Sequence, residues 1–414
     1  MSATDFRLVF LLFLLFSTAL QLWLKTRHLQ HILRHRAAVP ADFAAGIELA
    51  AHQKAADYSV AKARLARWVI AWEALVLSFF TLGGGIGWLD GLSRAGLGEG
   101  VWAGLGLIAG LTLLSSVLSL PFSLYSTFVL EERFGFNKMT AKLFIIDLLK
   151  STLLGAALGL PLVALVLWLM DAAGSLWWLY AWAAWVGFGL FLMAIYPSFI
   201  APLFNKFTPL EDASLKSRID ALLSKCGFAS NGVFIMDGSK RSSHGNAYFT
   251  GFGKTKRIVF FDTLIERLTP AEIEAVLAHE LGHYKRRHII KRMVLMYGLG
   301  LLTLALLGYL KDADWFYAGL GVNQPSTAAA LTLFFTALPV FTFPFGWLSS
   351  RGSRQHEYEA DEYAASVSSA DALVSGLVKL YRDNASTLTP DPLHSLFYDS
   401  HPPAALRIAA LRQA

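Results

Sequence analysis

Seven long apolar runs set the limits on what this chain can become: residues 6–24, 69–89, 101–120, 148–170, 177–199, 289–310 and 328–348. Each is long enough to cross roughly 30 Å of hydrocarbon as a helix. Inside a bilayer only a helix or a closed barrel satisfies its own backbone, and runs of this length select the helix. Composition agrees, because 55% of the 414 residues are hydrophobic and only 16% are charged. Twelve Trp and thirty Phe supply aromatic surface suited to lipid and its interfaces. The expected fold class is mostly α: a polytopic membrane protein with seven transmembrane helices, joined to a small α+β unit built from the polar stretches. The first run is short and N-terminal, as a secretory signal would be. It has a thin charged region (Arg7) and a basic flank behind it, so a retained span is expected.

Lysine and arginine set the expected orientation. The connection after the first run holds Lys25, Arg27, Arg34, Arg36, Lys54, Lys62, Arg64 and Arg67, whereas the next has only Arg94. Arg133, Lys138 and Lys142 follow the third run, and the stretches 203–288 and beyond 349 are again basic. This alternation puts the N-terminus outside and the C-terminus in the cytoplasm. The net charge of +6 is accounted for by these flanks and implies no nucleic acid. A single cysteine, Cys226, excludes a disulfide framework and a thiolate metal cluster.

Four regions follow: residues 1–204 with five spans, 205–288 polar, 289–348 with two spans, and 349–414 polar. The first polar region reads as a helix over 215–226, strands over 232–236 and 257–261, then a helix starting at Thr269. The second reads as helical over 357–366 and 371–381. Two spans separate them, so both polar regions return to one side of the membrane.

The helix from Thr269 carries the chemistry. Thr269-Pro270-Ala271-Glu272 places a hydroxyl cap, a proline and a glutamate as a capping box. Ile273, Val276, Leu277 and Leu281 then recur at helical spacing, so His279 and His283 sit mid-helix on a buried face. Two imidazoles four apart lie about 6 Å from each other at Cβ and can share one metal ion. Glu280 beside them suits a base acting on water, the HExxH pattern of zinc hydrolases. Such a site needs a third protein ligand. Glu357 and Asp361 share a helical face, so that one can bind metal while the other accepts a hydrogen bond from a liganded imidazole. Glu359 points elsewhere and reads as solvated.

Other patterns carry less. Gly83-Gly84-Gly85 and Gly104-Leu105-Gly106 lie in apolar runs and read as close helix packing. Gly253-Lys254-Thr255 has Tyr248 where a phosphate loop needs its first glycine. His28, His31 and His35 share a face, which reads as a basic juxtamembrane helix. Glu73, Asp147 and Lys150, in or near spans, fit either a water-filled interior or paired charges.

His279-Glu280-Leu281-Gly282-His283, a span pair, and Ser353-Arg354-Gln355-His356-Glu357-Tyr358-Glu359-Ala360-Asp361 together resemble the type I CAAX prenyl proteases, integral-membrane gluzincins with seven spans. The likeness extends to Pro121-Phe122-Ser123-Leu124-Tyr125 continuing through Glu131-Glu132-Arg133-Phe134-Gly135-Phe136-Asn137-Lys138, and to Tyr196-Pro197 through Phe207. Asn246-Ala247-Tyr248-Phe249-Thr250-Gly251, His401-Pro402 and Arg407 also fit. The resemblance implies Zn2+ held by His279, His283 and Glu357, with Glu280 as general base and Asp361 orienting His279. It places Asn246 where the substrate backbone pairs, and His401 with Arg407 at the substrate or its developing oxyanion. It implies a chamber enclosed by the helices, with zinc at its cytoplasmic end. The implied partners are membrane lipid and a peptide or protein prenylated at its C-terminus, from which the last three residues are removed; no oligomeric state follows. Some members also cut near the substrate's N-terminus. Short loops and no ER-retrieval signal before Ala414 turn the expectation toward a bacterial inner membrane rather than the ER membrane. The alternatives are a membrane-protein quality-control metalloprotease of the heat-shock type, with about four spans, and a transporter or receptor with a structural metal.

Overall fold

The computed structural model describes residues 1–251 and 256–413, so the Gly253-Lys254-Thr255 stretch lies outside the described residues. The chain begins with helices α1 (Ala3–His35), α2 (Leu49–Phe80), α3 (Gly85–Leu97), α4 (Val101–Tyr125), α5 (Ala141–Ala172) and α6 (Trp177–Ile195). After the short α7 (Ala201–Phe204), the first polar region holds β1 (Phe207–Pro209), α8 (Ala213–Lys225), β2 (Val233–Met236), β3 (Ala247–Thr250), β4 (Arg257–Phe261), α9 (Asp262–Ile265) and α10 (Pro270–Lys285). Then come α11 (His288–Leu310), α12 (Asp314–Gly319), α13 (Thr327–Thr342), α14 (Gly346–Val367), α15 (Ala370–Asp383), α16 (Pro392–Tyr398) and α17 (Ala404–Leu411).

Among the described residues, six helical stretches are long and apolar enough to cross a membrane, and the remaining expected span is a bent pair, α2 and α3, meeting at 55°. The bend falls on the glycine triplet read as a packing motif. Gly84 has φ +75°, a left-handed conformation that costs other residues energy, so the helix breaks there. Gly104 does serve close packing, since a Cβ there would lie 2.8 Å from Leu167 and 2.9 Å from Ala328.

The spans pack solidly at one end only. Phe10, Ile86, Leu107, Leu167, Trp177, Leu307, Phe316 and Leu333 form one buried cluster. They come from the start of α1, α3, α4, α6 and α13, from the end of α5 and α11, and from α12, the membrane end remote from α10. Nearer α10 the helices separate. Thr112 to Val117 on α4 and Leu148 to Leu153 on α5 are exposed residue after residue. Six consecutive residues turn through more than one and a half helical turns. Such a segment has neither its lipid face nor its inner face covered, so the bundle encloses a chamber closed by the packed end.

The charges flagged near the spans resolve unevenly. Asp147 pairs with Arg241 at 2.8 Å, and Lys150 donates to the Leu203 carbonyl at 2.7 Å. Asp147 therefore clamps α5 to the polar region, and Lys150 clamps it to α7 just before that region. Glu73 is exposed on α2.

A four-stranded sheet with order β1-β2-β4-β3 meets the helices where Arg257 of β4 donates to the Pro197 carbonyl, just after α6, at 3.1 Å. Only β2 and β4 run parallel, and β3 is an antiparallel edge strand with Ala247 opposite Phe260. Two strands were expected and four are found among the described residues; β1 and β3 take strand form by pairing with β2 and β4. The sheet shares a core with α8, α10 and α15 through Ile219, Ile258, Phe260, Leu277 and Leu373. α14 starts at Gly346, earlier than the expected polar helix, and only the short turn Phe343–Phe345 separates it from α13. π-helical turns end two spans, at Ser126–Glu131 and Tyr196–Ile200, both within the family-like stretches quoted above.

Candidate active site

The helix that carries the two histidines starts as its sequence requires. The Thr269 hydroxyl accepts from Glu272 N, and the Glu272 carboxylate accepts from Thr269 N at 2.8 Å. Glu272 also accepts from Ser375 at 2.7 Å and Lys379 at 2.8 Å, tying the start of α10 to α15. Burial alone would raise the Glu272 pKa; its bonds to Lys379, Ser375 and Thr269 outweigh that and hold it down at about 2. Ile273, Val276, Leu277 and Leu281 are all buried, as their spacing predicts.

α14 crosses α10 at Gly282, where a Cβ would stand 2.8 Å from Ala360 Cα. This backbone approach brings Glu357, one turn before Ala360, down onto the histidines. His279 Nε2 lies 3.4 Å from Glu357 Oε2, and His283 Nε2 lies 3.3 Å from Glu357 Oε1. A candidate ligand atom from each of the three residues lies within 4.8 Å of the other two. Tetrahedral zinc with bonds of about 2.05 Å holds its ligand atoms about 3.3 Å apart. Glu357 Oε2 is buried and has no hydrogen-bond partner among the described residues, a cost a bound cation would remove. The donor set thus fits zinc on spacing, chemistry and the orphaned oxygen.

Electrostatics agree. Burial would push the His279 ring toward its neutral form; the Asp361 and Glu357 carboxylates outweigh this and raise its pKa to about 9. Burial would likewise raise Glu357, yet the His279 and His283 rings facing its oxygens hold it far below the usual carboxylate range. The cluster is built to stabilise positive charge at its centre.

Each histidine is braced from behind. His279 Nδ1 lies 2.8 Å from Asp361 Oδ1, so its proton sits on Nδ1 and Nε2 faces the other ligands. Arg407, buried beneath the site, grips Asp361 with bonds of 2.8 and 2.6 Å. Contact with the substrate or its oxyanion was expected of Arg407; its Nε and Nη2 hold Asp361, and its Nη1 lies 3.8 Å from Glu357 Oε2. The second brace escaped the sequence reading. His283 Nδ1 lies 2.9 Å from Nδ1 of His288, whose Nε2 lies 2.9 Å from Glu359 Oε2. A consistent set of protons runs from His283 to His288 to Glu359. Glu359, read as solvated, is the acceptor at the end of this chain. The available signal was a histidine five positions after His283 at the entry to a span. It gains meaning only when α14 is folded back beside it.

The other expected residues occupy the open side. Burial raises the Glu280 pKa, and His279 and His283 only partly counter it. His401 is exposed, with Nε2 3.5 Å from Glu357 Oε2 and Nδ1 2.9 Å from the Ser400 hydroxyl. Asn246 is exposed immediately before edge strand β3, and its carbonyl accepts from Phe261 N at 2.9 Å. His28, His31 and His35 form no metal cluster among the described residues; His28 stacks on His394 instead, ring centres 3.8 Å apart.

Comparison with known proteins adds to this geometry. Residues 28–206 match the family described as CAAX prenyl protease N-terminal, five membrane helices, and residues 209–414 match peptidase family M48. The five-helix match disfavours the shorter quality-control alternative. The chain is 35% identical to a probable CAAX prenyl protease 1 of Schizosaccharomyces pombe, over 95% of this chain and 85% of that protein. It is 40% identical to a CAAX prenyl protease 1 homolog of Arabidopsis thaliana, over 74% of this chain and 73% of that one. The crystal structure of S. mikatae Ste24p superposes with a TM-score of 0.91 at 33% identity, covering 99% of this chain and all of that one. With its histidine and carboxylate cluster beneath a hollow helical bundle, the chain belongs to the M48 CAAX prenyl proteases, which are multi-pass, zinc-dependent membrane metalloproteases.

Proposed function

We propose that this protein removes the last three residues of prenylated CAAX proteins by hydrolysing one peptide bond. The observation that carries the reading is the joint placement of His279, His283 and Glu357 around one point at the mouth of an enclosed chamber. Zinc bound there supplies Lewis acidity, lowering the pKa of water from 15.7 to about 7 and polarising the scissile carbonyl. Glu280 takes the water's proton and returns it to the leaving amine; its raised pKa suits both transfers. His401, exposed beside Glu357, donates to the developing oxyanion, a contribution of about 3 kcal/mol where such donors have been removed. The edge of β3 from Asn246 onward pairs with the substrate backbone. Asp361 with Arg407, and His288 with Glu359, position the two imidazoles.

The chamber supports a lipidated substrate. Between α4, α5, α6, α11 and α13 lies an apolar cavity of about 580 Å³ lined by Leu111, Val163, Trp185, Leu304 and Phe335 among others. A prenyl chain finds matching polarity there. The basic flanks favour an orientation with the N-terminus outside and the zinc site cytoplasmic. The compact connections favour a bacterial inner membrane over the ER membrane. The test is cleavage of a farnesylated CAAX peptide beside its unprenylated twin by purified protein. The farnesylated peptide is expected to be cut much the faster, and equal rates on both would remove lipid recognition from the reading.

A further inference from the structure

A second cavity, of about 510 Å³, has a cationic wall. Lys25, His28, Lys62, His244, Asn384 and His394 line it, and among the described residues no carboxylate does. Its hydrogen-bonding groups are arranged as donors. Lys25 Nζ lies 3.0 Å from Nε2 of His394, which leaves the His394 proton on Nδ1. That Nδ1 is buried without an acceptor among the described residues, on a side chain 5% exposed. His28 Nδ1 accepts from Asp391 N at 3.3 Å, which leaves its proton on Nε2. Acids stand behind this wall: Glu131 accepts from Tyr58 and has Oε2 3.7 Å from His244 Nε2, Asp391 accepts from Arg27 at 2.9 Å, and the charge of Asp399 acts on Lys25. Two ammonium groups and an orphaned buried donor, in a cavity with no carboxylate among its described lining residues, call for an anion.

Position identifies the anion. His244 stands two residues before Asn246, about 7 Å back along the extended chain at β-strand rise. Gly245 between them is clamped by Asn384, whose side chain accepts from Gly245 N at 3.0 Å. A substrate added antiparallel to β3, the more stable pairing, runs its C-terminal side toward this end of the strand. Three residues beyond the cut reach about 10 Å.

We propose that the cavity walled by Lys25, His28, Lys62, His244 and His394 receives the free α-carboxylate of the substrate's last residue, so that it measures the distance from chain end to cut bond. This rests on the CAAX reading above and adds to it a recognition site for the terminus itself. No bond is made or broken there; its effect is on affinity and register.

The test compares two farnesylated CAAX peptides, one ending in the free acid and one in the amide, on intact protein in detergent. A charged hydrogen-bonded anchor is expected to favour the acid on the order of 10- to 100-fold in kcat/KM. In Lys25→Gln/Lys62→Ala the acid-to-amide ratio is expected to fall to within about threefold of one, with Lys25→Arg keeping most of the preference. Lys62 is exposed, so Lys62→Ala alone provides the measurement if the double variant fails to fold. Equal cleavage of acid and amide by the unaltered protein refutes the anchor while the CAAX reading stands. Cleavage of neither prenylated peptide removes both. An acid preference that survives in the lysine variants, or a loss shared by both peptides and reversed by phosphatidylglycerol vesicles, also overturns it, the latter assigning the cavity to a lipid headgroup.

Discussion

Replacing Gly282 by alanine tests whether the crossing of α10 and α14 sets the metal geometry. The added Cβ would stand 2.8 Å from Ala360 Cα, 2.9 Å from its carbonyl oxygen and 3.2 Å from its Cβ. Ordinary contact begins near 3.4 Å, so α14 must retreat by about 0.6 Å. The obstructing atoms are mostly backbone, and no side-chain rotation relieves them. Glu357 lies one turn before Ala360 and Asp361 directly after it, so the third ligand and the brace of His279 move together. Metal bonds tolerate displacements of about 0.2 Å, a third of this shift. Overpacking of this kind costs about 1–3 kcal/mol, and displacing groups that brace a ligand weakens metal binding roughly 10- to 100-fold. Gly282→Ala is therefore expected to lose zinc to a competing chelator at 10- to 100-fold lower chelator strength and to lose peptidase activity in step. The control is Gly352→Ala on the same α14, where a Cβ meets nothing within 4 Å. It should keep zinc and activity, and gain up to about 1 kcal/mol of stability from helix propensity. Gly282→Ala protein that binds zinc within about threefold of the unaltered protein and cleaves at the same rate would refute the reasoning.

Glu280→Gln keeps the ligand set and removes the proton acceptor, so zinc content should stay at one per chain while kcat falls roughly 10²- to 10⁴-fold; retained turnover would overturn the base assignment. His288→Ala, and Glu359→Gln more mildly, should weaken zinc binding roughly 10- to 100-fold by freeing the His283 ring, read by chelator competition. Glu272 is ionised to about pH 2 in the fold and to about pH 4.5 when unfolded. Its stabilisation is complete above the unfolded value and disappears as pH falls through the folded one. Thermal melting of Glu272→Gln should lie below that of the unaltered protein by the equivalent of about 2 kcal/mol at pH 7, with the gap closing as pH falls from 4.5 toward 2; a gap independent of pH would sink this account.

Much of the fold was legible because it follows from local chemistry. Hydropathy marks a span wherever length and polarity suffice, and Thr269-Pro270 with Glu272 announces a helix start that the structure reproduces atom by atom. His279 and His283 share a face by helical period alone. What escaped depends on contact between distant segments. Gly84 reads in sequence as one more small residue in an apolar run, and only the packing around it turns it into a break. β3 is four residues long and becomes a strand by pairing with β4. Arg407 lies 46 positions beyond Asp361, and Glu359 lies 71 beyond His288, separations that no local pattern spans.

The same distinction explains how the centre is assembled. His283 closes α10 just before the chain turns at Arg287, held at φ +56°, and re-enters the bundle as α11 with His288 at its first position. Glu357 arrives on α14, which continues from α13 after a single short turn. The metal-binding residues thus sit where one span departs and another returns, and their braces come from those same helices. A displacement of α11 or α13 in the bundle is transmitted to His288 or to Glu357 with no loop between to absorb it. Zinc affinity in this protein should therefore respond to the packing of its membrane helices, a coupling that two histidines and a glutamate carried on a soluble loop would not show.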